Sequence, residues 1–92
     1  MSASDKTLTN IDLAEIKQKA LKKEYTDRLV EVYEALCEKG YNPIAQIIGY
    51  ILTEDPTYIT THNNARITAR KMDRDELLKI LLEEYIENHT QK

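Results

Sequence analysis

Apolar residues recur along this chain at helical spacing, one segment after another. Leu29, Val32, Tyr33 and Leu36 stand at i, i+3, i+4 and i+7, the spacing of a single helix face. Upstream, Leu13, Ile16, Ala20 and Leu21 keep a thinner stripe, crowded by Lys17, Lys19, Lys22 and Lys23. The pattern predicts a helical region from about Asp12 to Lys39, opened by Asp12 and Glu15 as a capping pair. It leaves two alternatives for the part before Thr26: a separate helix or a frayed extension. Gly40 ends the region as a left-handed cap. A second helix then opens at Asn42, a good N-cap residue, with Pro43 at the first helical position where no hydrogen bond is lost. Ile44, Ile47, Ile48, Ile51 and Leu52 mark one apolar face. Asp55-Pro56 closes it, because the residue before a proline is pushed out of the helical region.

Thr57 to Thr60 reads as a connector with one strand-like bend. A shorter third helix is expected from Thr61 or His62 to Met72, with Ala65, Ala69 and Met72 as a narrow apolar edge and Arg66, Arg70 and Lys71 on the polar side. The last helix begins at the capping-box pattern Asp73-Arg74-Asp75-Glu76. It carries Leu77, Leu78, Ile80, Leu81, Leu82, Tyr85 and Ile86. That surface is broader than one small partner helix covers, and a helix apolar around much of its circumference is buried on more than one side. The expectation is a homodimer.

Residues 1–10 are too polar to offset chain entropy and are expected to be a flexible N-terminal tail. Residues 11–92 are expected to form a single helical domain. The fold class is therefore all-α, a small bundle of four or five short helices with a flexible tail. At 92 residues the chain makes one domain and buries only about 60–65% of its unfolded surface, which is a further reason to pair.

Charge narrows the function. Charged residues are 32% of the chain and the net charge is −3, so there is no global pull toward nucleic acid or anionic membrane. No apolar run approaches eighteen residues, so membrane insertion is not expected. The polar N-terminus lacks the apolar stretch of a secretory signal, and the lone Cys37 fits a cytoplasmic location and excludes an internal disulfide.

The residues offer little chemistry. His62, His89 and Cys37 fall into no metal-ligand spacing, and Gly40 and Gly49 stand apart from any phosphate loop, so no metal or cofactor is expected. Cys37, beside the core stripe, reads as a small buried hydrophobe. Carboxylates such as Glu83-Glu84 and Asp73/Asp75 read as a solvated helix face. The chain is not expected to be an enzyme. Arg66, Arg70 and Arg74 would share a face if their helix continued, and guanidinium forks suit phosphate or carboxylate. They are candidate docking residues for such groups; the plainer reading is ion pairing with Asp73, Asp75 or Glu76. The same cluster carries the alternative function, a small nucleic-acid-binding helical module, although it lacks the interleaved aromatics of such domains. In the tail, Ser2, Ser4, Thr7 and Thr9 flank Asp5, and a kinase would add about −1.5 to −2 charge at any of them.

Gly40-Tyr41-Asn42-Pro43-Ile44, Gln46-Ile47-Ile48-Gly49-Tyr50, Asp55-Pro56-Thr57-Tyr58-Ile59 and Asn63-Asn64-Ala65-Arg66, continuing through Arg70-Lys71 and Arg74-Asp75-Glu76 to Leu82 and Tyr85, together resemble the IreB family of small regulatory phosphoproteins from Gram-positive bacteria. The resemblance covers roughly Leu29 to Tyr85. It implies a non-enzymatic, all-helical, dimeric protein that is the substrate of a transmembrane Ser/Thr kinase, through that kinase's cytoplasmic domain. It also implies a role in cell-envelope stress and antibiotic tolerance. Ser4, Asp5 and Thr7 match the family's tail pattern, which makes Thr7 the first candidate phosphoacceptor and Ser4 the second. The chain departs from the family in having Thr53-Glu54 where serine and glycine are usual, and the lost glycine predicts a turn that avoids positive φ. Thr60 and Thr61 stand where proline and arginine are common, and the segment from Asn10 to Tyr25 is longer and richer in lysine.

Overall fold

Four α-helices and two 3-10 turns make up the described residues, with no strand among them: α1 (Ser2–Glu38), α2 (Pro43–Thr53), turns at Pro56–Tyr58 and His62–Asn64, α3 (Ala65–Arg70) and α4 (Arg74–Thr90). The computed structural model describes the backbone of residues 2–90 and the side chains of residues 12–90. The all-α expectation holds. The helices are not all short, however, because α1 is one continuous helix of 37 residues. No glycine or proline interrupts it. Its lysine-rich middle is braced by the i,i+4 pairs Lys23–Asp27 at 3.0 Å and Arg28–Glu24 at 2.8 Å.

Each helix end follows from local chemistry. Gly40 takes a φ of 81°, and its N–H bonds the Cys37 carbonyl while the Tyr41 N–H reaches back to Leu36, both at 3.0 Å. That pair of bonds is a Schellman ending, and it needs the left-handed residue that glycine supplies. Asn42 Oδ1 accepts from the Ala45 N–H at 3.1 Å, with Pro43 first in α2. Asp73 Oδ2 accepts from the Glu76 N–H at 3.0 Å and opens α4.

The C-terminus of α2 corrects one expectation. Glu54 takes a φ of 62°, so losing the family's glycine has not removed the left-handed turn. The reason is that other bonds hold it. The Glu54 N–H bonds the Tyr50 carbonyl at 2.8 Å, and its carboxylate pairs with Arg74 at 3.1 Å. Arg74 also donates to the Ile51 carbonyl, one of the acceptors that a helix end leaves open.

The connector is tighter than a strand-like bend. Asp55 Oδ1 accepts from both the N–H and the hydroxyl of Thr57, at 3.0 and 2.7 Å, which winds Pro56–Tyr58 into a 3-10 turn. Ile59 follows in extended conformation and is buried almost completely. The expected third helix is shortened at its start by a second turn, because Asn63 and Asn64 both adopt positive φ. Asparagine tolerates that region better than most residues, and α proper begins only at Ala65.

Two apolar clusters fill the interior. One joins Val32, Ala35 and Leu36 of α1 to Tyr50, Ile59, Ala65 and Ala69. The other joins Tyr25 to Ile51, Met72, Leu77 and Ile80. Ile47 packs against both. The corner between α3 and α4 is tied to α1, since the Asp73 N–H donates to the Tyr25 hydroxyl at 2.9 Å. Gly49 serves close approach rather than a turn, since a Cβ there would collide with the ring of Tyr58.

Two substitutions test this packing by urea denaturation. Tyr25→Phe leaves the Asp73 N–H without its acceptor and should cost about 1–2 kcal/mol. Gly49→Ala should cost about 1 kcal/mol, overpacking outweighing the better helix propensity of alanine. In a Tyr58→Ala background the same Gly49→Ala change should become stabilising, and a cost that persists there would show that the ring is not the obstacle.

Candidate functional site

The residues proposed as phosphoacceptors belong to the first turns of α1 by backbone position. The side chains of Ser4 and Thr7 lie outside the described residues. The rest of the candidate surface divides into a charged corner and an apolar groove.

The charged corner does not bring the three arginines onto one helix face. α3 stops at Arg70, the turn at Lys71–Asp73 intervenes, and Arg74 is the first residue of α4. The condition of a continuing helix therefore fails, because the Asp73 cap starts a new axis. Arg66 donates from Nε to the Ile59 carbonyl at 2.8 Å, and Arg74 holds the end of α2. These two guanidiniums tie down loops of their own chain. Arg70, Lys71 and Arg74 do line one open hollow of about 660 Å³, together with Tyr50, Glu54 and Asp73. Arg28 reaches this corner too, donating to the Lys71 carbonyl at 3.5 Å. Cations and carboxylates alternate around the rim, so it is not a uniformly basic patch, and nothing in the arrangement favours nucleic acid.

The apolar groove is not visible in the sequence pattern. It lies between α1 and the first half of α4, encloses about 590 Å³, and is lined by Tyr25, Leu29, Val30, Leu77, Ile80 and Leu81. Lys22 and Glu84 bridge its end at 2.6 Å. The hydrogen bond from Lys22 holds the Glu84 carboxyl below the usual carboxylate range, aided by the lysine's charge, and the same bond raises Lys22. Asp55 is also lowered, first by the Thr57 hydroxyl, then by the Thr57 N–H and the charge of Arg66.

Cys37 corrects another expectation, since it is exposed rather than buried. One residue past the fully buried Leu36, it is turned about 100° off the core axis. Its sulfur takes a hydrogen bond from the Tyr33 hydroxyl, which raises that phenol's pKa. His62 meets the Glu38 carboxylate at 2.7 Å, and Asn63 donates to the same oxygen at 3.3 Å. His89 stacks on Tyr85 with ring centroids 4.1 Å apart. Among the described residues no group of three or more His, Cys, Asp and Glu side chains is placed to hold a metal ion. No helix among them is long and apolar enough to cross a membrane.

The shifted carboxyls set a pH dependence. Both have folded-state pKa values below their unfolded ones, so their contribution is present above pH ~4 and is lost as pH falls through the folded values. Lys22, raised, contributes below its ordinary value near 10.5 and loses that contribution above it. Glu84→Gln should therefore differ from the parent in denaturant midpoint between about pH 5 and 9 and converge with it below about pH 4. A difference that persists undiminished at about pH 3 would count against the Lys22–Glu84 bond.

Comparison with known proteins gives consistent matches. A family model described as "IreB regulatory phosphoprotein" matches residues 9–87. A UPF0297 protein of Ruminiclostridium cellulolyticum is 61% identical over 61 residues, covering 66% of this chain and 69% of that protein. A UPF0297 protein of Acetivibrio thermocellus is 48% identical over 87 residues, covering 95% of this chain and 90% of that protein. Another, from Lachnoclostridium phytofermentans, is 57% identical over 61 residues, covering 66% and 69%.

Proposed function

The chain belongs to the IreB family of regulatory phosphoproteins, and from that membership we propose that it is a non-enzymatic regulator switched by a Ser/Thr kinase. In this reading the protein is a cytoplasmic homodimer. The cytoplasmic domain of a membrane kinase phosphorylates it on Thr7 first and Ser4 second, and the output bears on cell-envelope stress and antibiotic tolerance. The family's own description as phosphoproteins carries the reading. The pattern Ser4-Asp5-Lys6-Thr7 supports the choice of residues. The exposed apolar residues of α4 support pairing.

Helix geometry refines where an added phosphate would go. Thr7 lies about 30 Å before Arg28 along α1, and Arg28 is the α1 residue that reaches Lys71. A phosphate on Thr7 reaches Arg70 and Lys71 only from the other protomer, or after the first turns of α1 unwind. Arg66 and Arg74, already bonded to carbonyls, are secondary partners for it. Such charge-assisted contacts would be the switch.

Incubation with the cytoplasmic domain of a Ser/Thr kinase of this class, followed by peptide mapping, tests the reading. Phosphate should appear on Thr7, with a weaker second site on Ser4, and Thr7→Ala should remove most incorporation. Modification confined to residues outside 2–10, or turnover of a metabolite by the purified protein, would end it.

A further inference from the structure

The last ten described residues of α4, Leu81 to Thr90, are all exposed. Yet they include Leu81, Leu82, Tyr85 and Ile86, with Leu82 63% and Tyr85 59% accessible. Together with Leu78 these residues recur at i, i+3, i+4, i+7 and i+8, which is a second apolar stripe beside the one that Leu77 and Ile80 bury. A helical half with no packing partner is not stabilised by its own hydrogen bonds alone. Immediately beside it lies the groove of Leu29, Val30, Leu77, Ile80 and Leu81, which no described residue of the same chain fills.

We infer that the second copy in the homodimer seats the C-terminal half of its α4 in this groove, and that the exchange is reciprocal. This rests on the dimeric reading above and adds where the two copies meet. Two observations favour a second copy as the occupant. Projecting stripe and empty groove are on one chain and adjacent, which is what a two-fold contact requires, each surface serving once as donor and once as receiver. The stripe's five side chains with Val30 and Tyr33 of α1 expose on the order of 100 Å² each, which brings the patch close to the ~800 Å² that each partner of a stable pair buries.

Sedimentation equilibrium on the full chain tests this, using Leu82→Asp and Tyr85→Asp against Leu52→Asp. Leu52 is 74% exposed on α2, away from the groove. All three positions are exposed in the protomer, and circular dichroism melts check that each variant is folded. The two α4 variants should weaken dimerisation by about thirtyfold or more, as loss of a central anchor does, while Leu52→Asp leaves it unchanged. If Leu52→Asp dissociates the pair and the α4 variants do not, the groove contact is wrong and the dimer stands. If the parent is a single protomer at high micromolar concentration, the dimeric reading itself fails.

Discussion

The hydrogen bond from the Asp73 N–H to the Tyr25 hydroxyl, 2.9 Å long, sets the direction in which α4 leaves the body of the protein. Tyr25 is buried in one apolar cluster with Met72 and Leu77. Its ring fixes the corner by packing, and its hydroxyl satisfies an amide that no helix bond can reach. Asp73 then caps α4 with its own side chain. One aromatic residue on α1 thereby determines the start of a helix 48 positions later. The groove and the projecting half of α4 both inherit that direction.

Around this corner the loops are held by polar side chains rather than by length. Arg74 closes α2, Arg66 holds the Ile59 carbonyl, and Gln46 donates to the Tyr58 carbonyl at 2.9 Å. His62 and Asn63 meet the single carboxylate of Glu38. These bonds explain why a chain with a modest core keeps three non-glycine residues at positive φ. Each such residue costs on the order of 1 kcal/mol, offset only because the neighbouring bonds leave the backbone no alternative.

Most of this architecture is legible in the sequence where the signal is local. Asn42-Pro43, Gly40 and Asp73 mark helix ends because capping depends on a few adjacent residues. The sequence misleads where the deciding partner is distant. The missing glycine predicts no positive φ at Glu54, but the turn there is held by Arg74, twenty positions on. Arg66, Arg70 and Arg74 look like one face because their spacing is helical, although the Asp73 cap between Arg70 and Arg74 marks the break; what no window around the arginines contains is Tyr25, which ties that corner to α1. The breadth of the apolar surface of α4 is legible as a count of side chains. Which of them sit in the core and which stand outside depends on the crossing of α1 and α4, and no periodicity encodes that.

The choice of tyrosine as the sole aromatic type has an optical consequence. With six tyrosines, no tryptophan and no phenylalanine, the near-ultraviolet spectrum of this protein is a phenol spectrum. Tyr25 and Tyr50 are enclosed, while Tyr33, Tyr41, Tyr58 and Tyr85 face solvent. The enclosed pair sits one in each apolar cluster. Fine structure and quencher-shielded emission therefore report on both halves of the interior, and the molecule carries a native chromophore for each without any label.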